Sequence, residues 1–426
     1  MKFVLASYGT RGDVEPCAAV GRELLRRGHE VHIAVAPDLV GFAESVGLAA
    51  VSYGPDARTW QDLHRDLLTH MFRKFWKIRE LSRLRREDWE LYVQCWDEAK
   101  ATLMSLADGA DLLLTIVIAE QAAANIAEHY DIPLATLHTF PMRPNGQLVP
   151  VLPASWGRSA MTVSEWLGWP MTKKLEDAQR LELGLPKATG PSSRRIAERG
   201  SLEIQAYDQV CFPGLAAEWA KWDQPTGPLR PFTGPLTMEL STDADHEVAS
   251  WIAAGTPPIF FGFGSTLVLS PANTVAMIGA ACAELGERAL VCSAETDFSH
   301  VPHSKHVKVV GSMNYAAAFP ACRAVVHHGG GGTTAAGLRA GVPQLIVSTL
   351  GDQTLWGSRV TRLKVGSTRR LSSTTQKSLV ADLRTILAPQ CVTRAREIAT
   401  QMTPPDKSVA GAADLLESFA RLRRVN

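Results

Sequence analysis

The sequence predicts an α/β protein of two doubly wound parallel-sheet domains that face each other across a cleft. Three observations predict it. The 426 residues exceed the roughly 250–300 at which a single core stops growing. Short apolar runs alternate with helical patterns in the first half, and the same alternation restarts after a Pro-rich break.

The apolar run Lys2–Ser7, a helical pattern over Glu15–Arg27, the stop at Gly28 and the run His29–Ala36 make one βαβ unit. Leu112–Ile118 and Leu134–His138 repeat the buried-strand signature, with Gln121–His129 helical between them. Residues 56–105 and 163–183 read as long helices inserted into this domain. Ala217–Asp245 follows, broken by Pro225, Pro228, Pro231 and Pro235. Pro258–Phe263, Arg288–Ser293, Val307–Val310, Ala324–His328 and Gln344–Ser348 then give five more strands. The division expected is a first domain at 1–220, a linker at 221–245, a second domain at 246–407, and a helix at 408–426 packing back on the first. Ligands of such sheets gather at the carboxyl ends of strands, so the loops after strands should carry the chemistry.

Composition narrows the function. Forty-four Lys plus Arg against 43 Asp plus Glu leave a formal charge of +1, which gives no field for nucleic acid. The seven cysteines are odd in number and lack any C-x-x-C pair, as expected of a reduced cytoplasm. The opening residues reach Gly9 too soon for a signal-peptide core, and no apolar run attains the ~18 residues of a membrane span. The expected location is cytoplasmic, at most peripheral at the inner face of the membrane. Phe72, Phe75, Trp76 and Trp89, interleaved with seven basic residues between 71 and 90, describe a helix that either lies on a membrane surface or grips an amphipathic acceptor. Packing of these aromatics into the domain core is the alternative.

The strongest constellation is His327-His328-Gly329-Gly330-Gly331-Gly332-Thr333-Thr334, between the strand at Ala324–Val326 and a helical stretch at Ala335–Arg339. Glycines let a backbone approach an anion, and the first N–H groups of a helix aim at it. Thr333 adds a hydroxyl and His328 a ring N–H, while neither His has an evident core role. A ligand-free Gly-rich turn is the alternative, and no third ligand is spaced to make the His pair a metal site. Further on, Asp352 and Gln353 join acceptor and donor groups that suit sugar hydroxyls, although Asp352 also suits a helix cap. Asp243-Ala244-Asp245 mimics a metal-binding D-x-D but reads as a capping turn, so no metal is expected.

The block Val325–Gly366 resembles the donor-binding signature of nucleotide-sugar-dependent glycosyltransferases of the GT-B fold, two Rossmann-like domains facing across a cleft. Gly9-Thr10-Arg11-Gly12-Asp13-Val14-Glu15-Pro16 resembles the start of a subgroup containing glycopeptide-antibiotic, sterol and mycobacterial glycolipid glycosyltransferases. Phe260–Thr266 and Arg180–Pro186 match further blocks in the same order. The resemblance implies that Ser265, Thr266, His328, Gly330, Gly331, Gly332 and Thr333 hold the donor diphosphate. It places the nucleobase at Ser312 and Met313 and the donor sugar at Asp352 and Gln353. The family commonly carries Ala where Gly331 stands, and a small residue is kept.

The same resemblance makes Asp13 the carboxylate that takes the acceptor proton, on a turn formed by Gly9, Thr10, Arg11 and Gly12. A helix N-terminus keeps it ionised and a weak base at rest, which suffices for a late proton transfer. A plain helix cap is the alternative role. The expectation is an inverting, metal-independent hexosyltransferase moving a sugar such as rhamnose or 6-deoxytalose from a dTDP or UDP donor to a hydroxyl of a glycopeptidolipid or related envelope glycolipid. Residues 142–153 and 156–169 would line its apolar pocket as aromatic, Pro-rich loops. Transfer to a sterol, polyketide or glycopeptide aglycone is the first alternative. A nucleotide-sugar epimerase or a non-catalytic nucleotide-sugar binding protein comes after it.

Overall fold

The structure, a computed structural model of the chain, describes residues 1–73, 76–148, 153–222, 227–264, 270–293, 301–302, 304–349 and 351–424. It divides into two compact units, Met1–Leu236 with Pro405–Asn426, and Thr237–Pro404.

The first unit opens with β1 (Lys2–Ala6), α1 (Arg11–Arg26), β2 (Glu30–Val35), α2 (Val40–Ser45) and β3 (Ala49–Ser52). The long helices α3 (Ala57–Arg73) and α4 (Ile78–Ala107) follow, then β4 (Leu112–Ile116), α5 (Glu120–His129) and β5 (Leu134–His138). It continues through α6 (Ala154–Glu182), α7 (Ser192–Glu198), β6 (Leu202–Gln205) and α8 (Leu215–Trp222). The second unit runs α9 (Asp245–Ala253), β7 (Ile259–Gly262), α10 (Pro271–Leu285), β8 (Ala289–Cys292), β9 (Val307–Val310), α11 (Tyr315–Ala318) and β10 (Ala324–His327). It ends with α12 (Gly331–Arg339), β11 (Gln344–Ser348), α13 (Asp352–Arg362), β12 (Gly366–Arg370), α14 (Gln376–Ile386) and α15 (Pro389–Ala399). Helix α16 (Pro405–Arg424) belongs to the first unit.

Each unit holds one six-stranded sheet, in the orders β3-β2-β1-β4-β5-β6 and β12-β11-β10-β7-β8-β9. Counted from the start of each unit, the two orders are the same. Every pairing is parallel. Helices therefore cover both faces, and the central strands are apolar throughout: Phe3, Val4 and Leu5 of β1 are fully buried, each side chain stabilising by roughly 1.5–3 kcal/mol. The strand order reverses between β1 and β4 in one sheet and between β7 and β10 in the other.

The sequence pattern does not announce β3, β6 or β12. β12 (GSTRR) is an edge strand without a large apolar residue, β3 (AAVS) is a four-residue edge strand with only one, and β6 carries charge in the core. Its Glu203 is fully buried, held by Arg143 Nε at 2.7 Å and Arg230 Nε at 2.6 Å. Arg143 also makes a two-pronged pair with Glu120 at 2.5 and 3.1 Å. Burial alone would raise Glu120, but Arg143 and His138 outweigh it and bring its carboxyl to about 2. Removing one partner of such a buried network costs about 3–5 kcal/mol.

The tertiary structure also moves two expectations. Trp156, Trp166 and Trp169 lie on α6, not on loops. Residues 229–233 run beside β6 through bridges Leu202–Leu229 and Gln205–Phe232. Helix α16 lies against α1, with Arg27 Nη1 2.6 Å from Asp414 and His29 Nε2 3.0 Å from Glu417.

Candidate functional site

In the second unit, β10 stands between β7 and β11, so the loop His328–Gly330 leaves the sheet where the strand order reverses. Helix α12 starts at Gly331, four residues before the expected helix, because the glycines carry no apolar pattern to reveal it. Its cap residue Gly330 offers no side chain, and its first turn holds no acidic residue. Thr334 is the first N–H bonded back into the helix, to Gly330 O at 2.9 Å. The N–H groups of Gly331, Gly332 and Thr333 thus stand at the positive end of the helix without an intrahelical carbonyl.

The two histidines have separate roles. His327 is fully buried and has a core role that the sequence does not reveal. Its Nδ1 accepts from Gly329 N–H at 3.1 Å, which leaves Nε2–H to donate to Gln344 Oε1 at 2.8 Å. Gln344 Nε2 donates in turn to Thr334 O at 3.1 Å, joining the strand end, the glycine loop and the first turn of α12. Burial, with the neighbouring His328, depresses the His327 pKa to about 3.

His328 packs its ring against two glycines. A Cβ at Gly264 would lie 3.0 Å from its Nδ1, and one at Gly330 would lie 2.6 Å from its Nε2. Among the described residues Nδ1 is buried without a hydrogen bond. Burial lowers this pKa to about 4, while the Gly262 backbone opposes the shift without completing hydrogen-bond geometry. The ring is neutral at pH 7, so it can donate one N–H and brings no charge. Ser265 and Thr266, expected on the adjoining loop, lie outside the described residues.

Gly329 brings the third element in. Its φ is +100°, and a Cβ there would meet Ile346 Cγ2 at 2.7 Å and Gln353 O at 3.0 Å. This close approach sets Asp352 and Gln353, the first residues of α13, beside the glycine loop. The helix cap is Gly351, so Asp352 is not the cap side chain. Surrounding protein raises the Asp352 carboxyl, against the N–H groups of Gln353 and Asp352 itself; the residue is exposed, and water screens that rise. Gln353 Oε1 accepts from Thr349 N–H at 2.9 Å and Thr349 Oγ1 at 2.8 Å. A backbone N–H only donates, which fixes the amide orientation and leaves its N–H groups without a hydrogen bond among the described residues.

On the loop after β9, Ser312 is exposed while the Met313 side chain is buried in the core, so Met313 offers only its backbone. Asp245 secures this loop. Its carboxylate accepts from Asn314 N–H at 2.8 Å, Thr242 N–H at 2.8 Å and Thr242 Oγ1 at 2.7 Å. Among the described residues no three His, Cys, Asp or Glu side chains converge as a metal-ion group.

In the first unit, Gly9, Thr10, Arg11, Gly12 and Asp13 occupy the turn after β1, also where strand order reverses. Helix α1 begins at Arg11, so Asp13 sits in its first turn. Thr10 is the cap, and its Oγ1 accepts from Gly12 N–H at 3.1 Å. Asp13 Oδ2 accepts from Thr10 N–H at 2.7 Å and Thr10 Oγ1 at 2.9 Å, closing a capping box. Gly9 has φ +131°, and a Cβ there would collide with that carboxylate. The turn is built around Asp13.

A row of aromatic rings beside this turn escapes sequence reading. Tyr8 lies 5.5 Å from Tyr53 and 5.4 Å from Trp60, centroid to centroid. Trp60 lies 6.1 Å from Tyr92, which stacks on Trp89 at 5.4 Å. Asp88 holds the Trp60 indole N–H at 3.0 Å. The row runs from the buried Tyr8 to the exposed Trp89. Its members come from the segment after β1, the segment after β3, and α3 and α4, so only the tertiary structure assembles it.

Residues 3–141 match the glycosyltransferase family 28 N-terminal domain, and residues 275–412 match the erythromycin biosynthesis protein CIII-like C-terminal domain. The chain is 58% identical to an uncharacterised glycosyltransferase of Mycobacterium tuberculosis across 100% of both. It is 27% identical to a sterol 3-beta-glucosyltransferase of Arabidopsis thaliana, over 97% of this chain and 67% of the relative. Among solved structures, the glycotransferase of kitacinnamycin superposes with a TM-score of 0.71 at 17% identity, covering 98% of each chain. Glycosyltransferase VinC in complex with dTDP gives 0.65 at 20% identity, covering 99% of this chain and 100% of VinC. The family matches and the 58% identical relative, with two doubly wound units and a glycine loop at a strand-order reversal, make this a nucleotide-sugar glycosyltransferase. The chain belongs to that enzyme family, with the GT-B fold.

Proposed function

We propose that the enzyme is an inverting, metal-independent transferase that moves a deoxyhexose such as rhamnose or 6-deoxytalose from a dTDP- or UDP-sugar to a hydroxyl of a glycopeptidolipid or related envelope glycolipid. The observation that carries the donor half is the uncapped N-terminus of α12 beside His328. In this reading the N–H groups of Gly331, Gly332 and Thr333 and the His328 ring hold the diphosphate, joined from the neighbouring loop by Ser265 and Thr266. They stabilise the charge that grows there as the glycosidic bond breaks. Asp352 and the Gln353 amide hold the sugar hydroxyls, and the backbone at Ser312 and Met313 receives the base.

Asp13, oriented through Oδ2 by Thr10, takes the acceptor proton late in the attack. Displacement in line by one hydroxyl, assisted by one carboxylate, inverts the anomeric carbon. The aromatic row from Tyr8 to Trp89 supports an acceptor with a large apolar part. A membrane-resident acceptor would place the enzyme at the cytoplasmic face of the membrane. The sterol-transferring relative supports the alternative of an aglycone acceptor.

The test is turnover of dTDP- and UDP-sugars against an envelope glycolipid and a sterol, with the product anomer read by NMR. Transfer to the glycolipid with the anomeric configuration opposite to that of the donor is expected. Retention of configuration would remove the single-displacement mechanism, and transfer to the sterol alone would favour the alternative.

A further inference from the structure

We propose that the end of the α3–α4 hairpin is a docking surface for an anionic phospholipid bilayer. The two helices run antiparallel, with Trp60 facing Tyr92, His64 facing Asp88, and His70 facing Glu80. Among the described residues at this end, Met71 near the close of α3 is 42% exposed, Trp76 63% and Ile78 at the start of α4 70%. A soluble surface gains nothing by exposing three large apolar residues together, whereas a Trp flanked by cations suits the headgroup level of a bilayer.

Charge selects the occupant. Between residues 71 and 86 the sequence holds seven Lys or Arg and one acidic residue, Glu80, in a chain of net charge +1. Lys77, Arg79, Arg83, Arg85 and Arg86 are all exposed. The pairs Lys77–Glu80, Arg83–Glu87 and Arg86–Glu90 span 3.0 to 3.8 Å. Exposed pairs of this kind are weak and exchange readily for lipid phosphates. No helix among the described residues is long and apolar enough to cross a membrane, so the contact is with the bilayer surface.

The proposal goes beyond the transfer reaction and does not depend on it, because vesicle binding requires neither donor nor acceptor hydroxyl. The test is flotation of the full chain with vesicles of phosphatidylcholine alone and of phosphatidylcholine with phosphatidylglycerol. Capture is expected only on the anionic vesicles, and it should weaken as salt screens the arginines. Each basic residue near such a surface contributes ~1 kcal/mol, so Arg79→Ala and Arg85→Ala should each lower binding about fivefold. Trp76→Glu with Ile78→Glu should abolish capture while leaving the melting temperature and nucleotide binding unchanged. Equal capture on both vesicle types, no capture, or capture indifferent to these variants would overturn the proposal. So would vesicle-free self-association that the Trp76/Ile78 variant abolishes, since that outcome assigns the surface to a second copy.

Discussion

Acid should loosen the glycine loop, and His327→Gln should protect it. In the unfolded chain His327 titrates near 6.5, and in the fold burial depresses it to about 3. The native state therefore refuses a proton that the unfolded chain accepts. The contribution is intact above pH ~6.5 and falls by ~1.4 kcal/mol per pH unit below it, until the folded pKa is reached. Between pH 7 and pH 5 the loss is then ~2 kcal/mol. Gln at 327 can accept from Gly329 N–H and donate to Gln344 Oε1, so it keeps both bonds and removes the titration. His328, depressed in the same direction, and Asp352, raised in the opposite one, are present in both proteins and cancel in the comparison. The assay is urea unfolding at the two pH values, read by amide exchange in β10 and α12. The wild type should lose ~2 kcal/mol more than the variant. Equal losses to within ~0.5 kcal/mol would refute the buried, neutral His327.

Asp13→Asn should lower kcat by ~10²–10⁴-fold while nucleoside diphosphate affinity and melting temperature hold, because the amide oxygen still accepts from Thr10; normal turnover would remove Asp13 as the base. His328→Ala should weaken nucleoside diphosphate binding in calorimetry by ~10–100-fold, the worth of a hydrogen bond to a charged group, and unchanged affinity would take His328 out of the phosphate site. Gly329→Ala places a side chain at φ +100° against the Gln353 backbone, which should cost ~2–4 kcal/mol in denaturant unfolding and raise the donor KM by displacing Asp352 and Gln353. Turnover should survive exhaustive treatment with EDTA, and loss restored by a divalent cation would overturn the metal-independent mechanism.

The parts of the fold legible in the sequence are those where one strand is apolar along its length. β5 and β11 begin and end where the pattern places them, because interior strands covered by helices on both faces are largely apolar. β3, β6 and β12 were not legible. An edge strand needs no apolar run, and Glu203 in β6 is tolerable only because Arg143 and Arg230 arrive from distant segments. The start of α12 was hidden for a different reason, since glycines and threonines have no periodicity.

The order of residues along the chain carries the two-domain α/β class and the glycine loop after a strand, and it nominates the short list from Asp13 to Gln353. Those signals are local, resting on neighbours a few residues apart whose backbone demands are set by residue type. Only the tertiary structure separated the two histidines, making His327 a brace for the loop and leaving His328 packed between Gly264 and Gly330. It also drew Tyr8, Tyr53, Trp60, Tyr92 and Trp89 into one row. Burial, ring packing and the direction of a hydrogen bond depend on partners tens or hundreds of residues away, and no pattern along the chain records them.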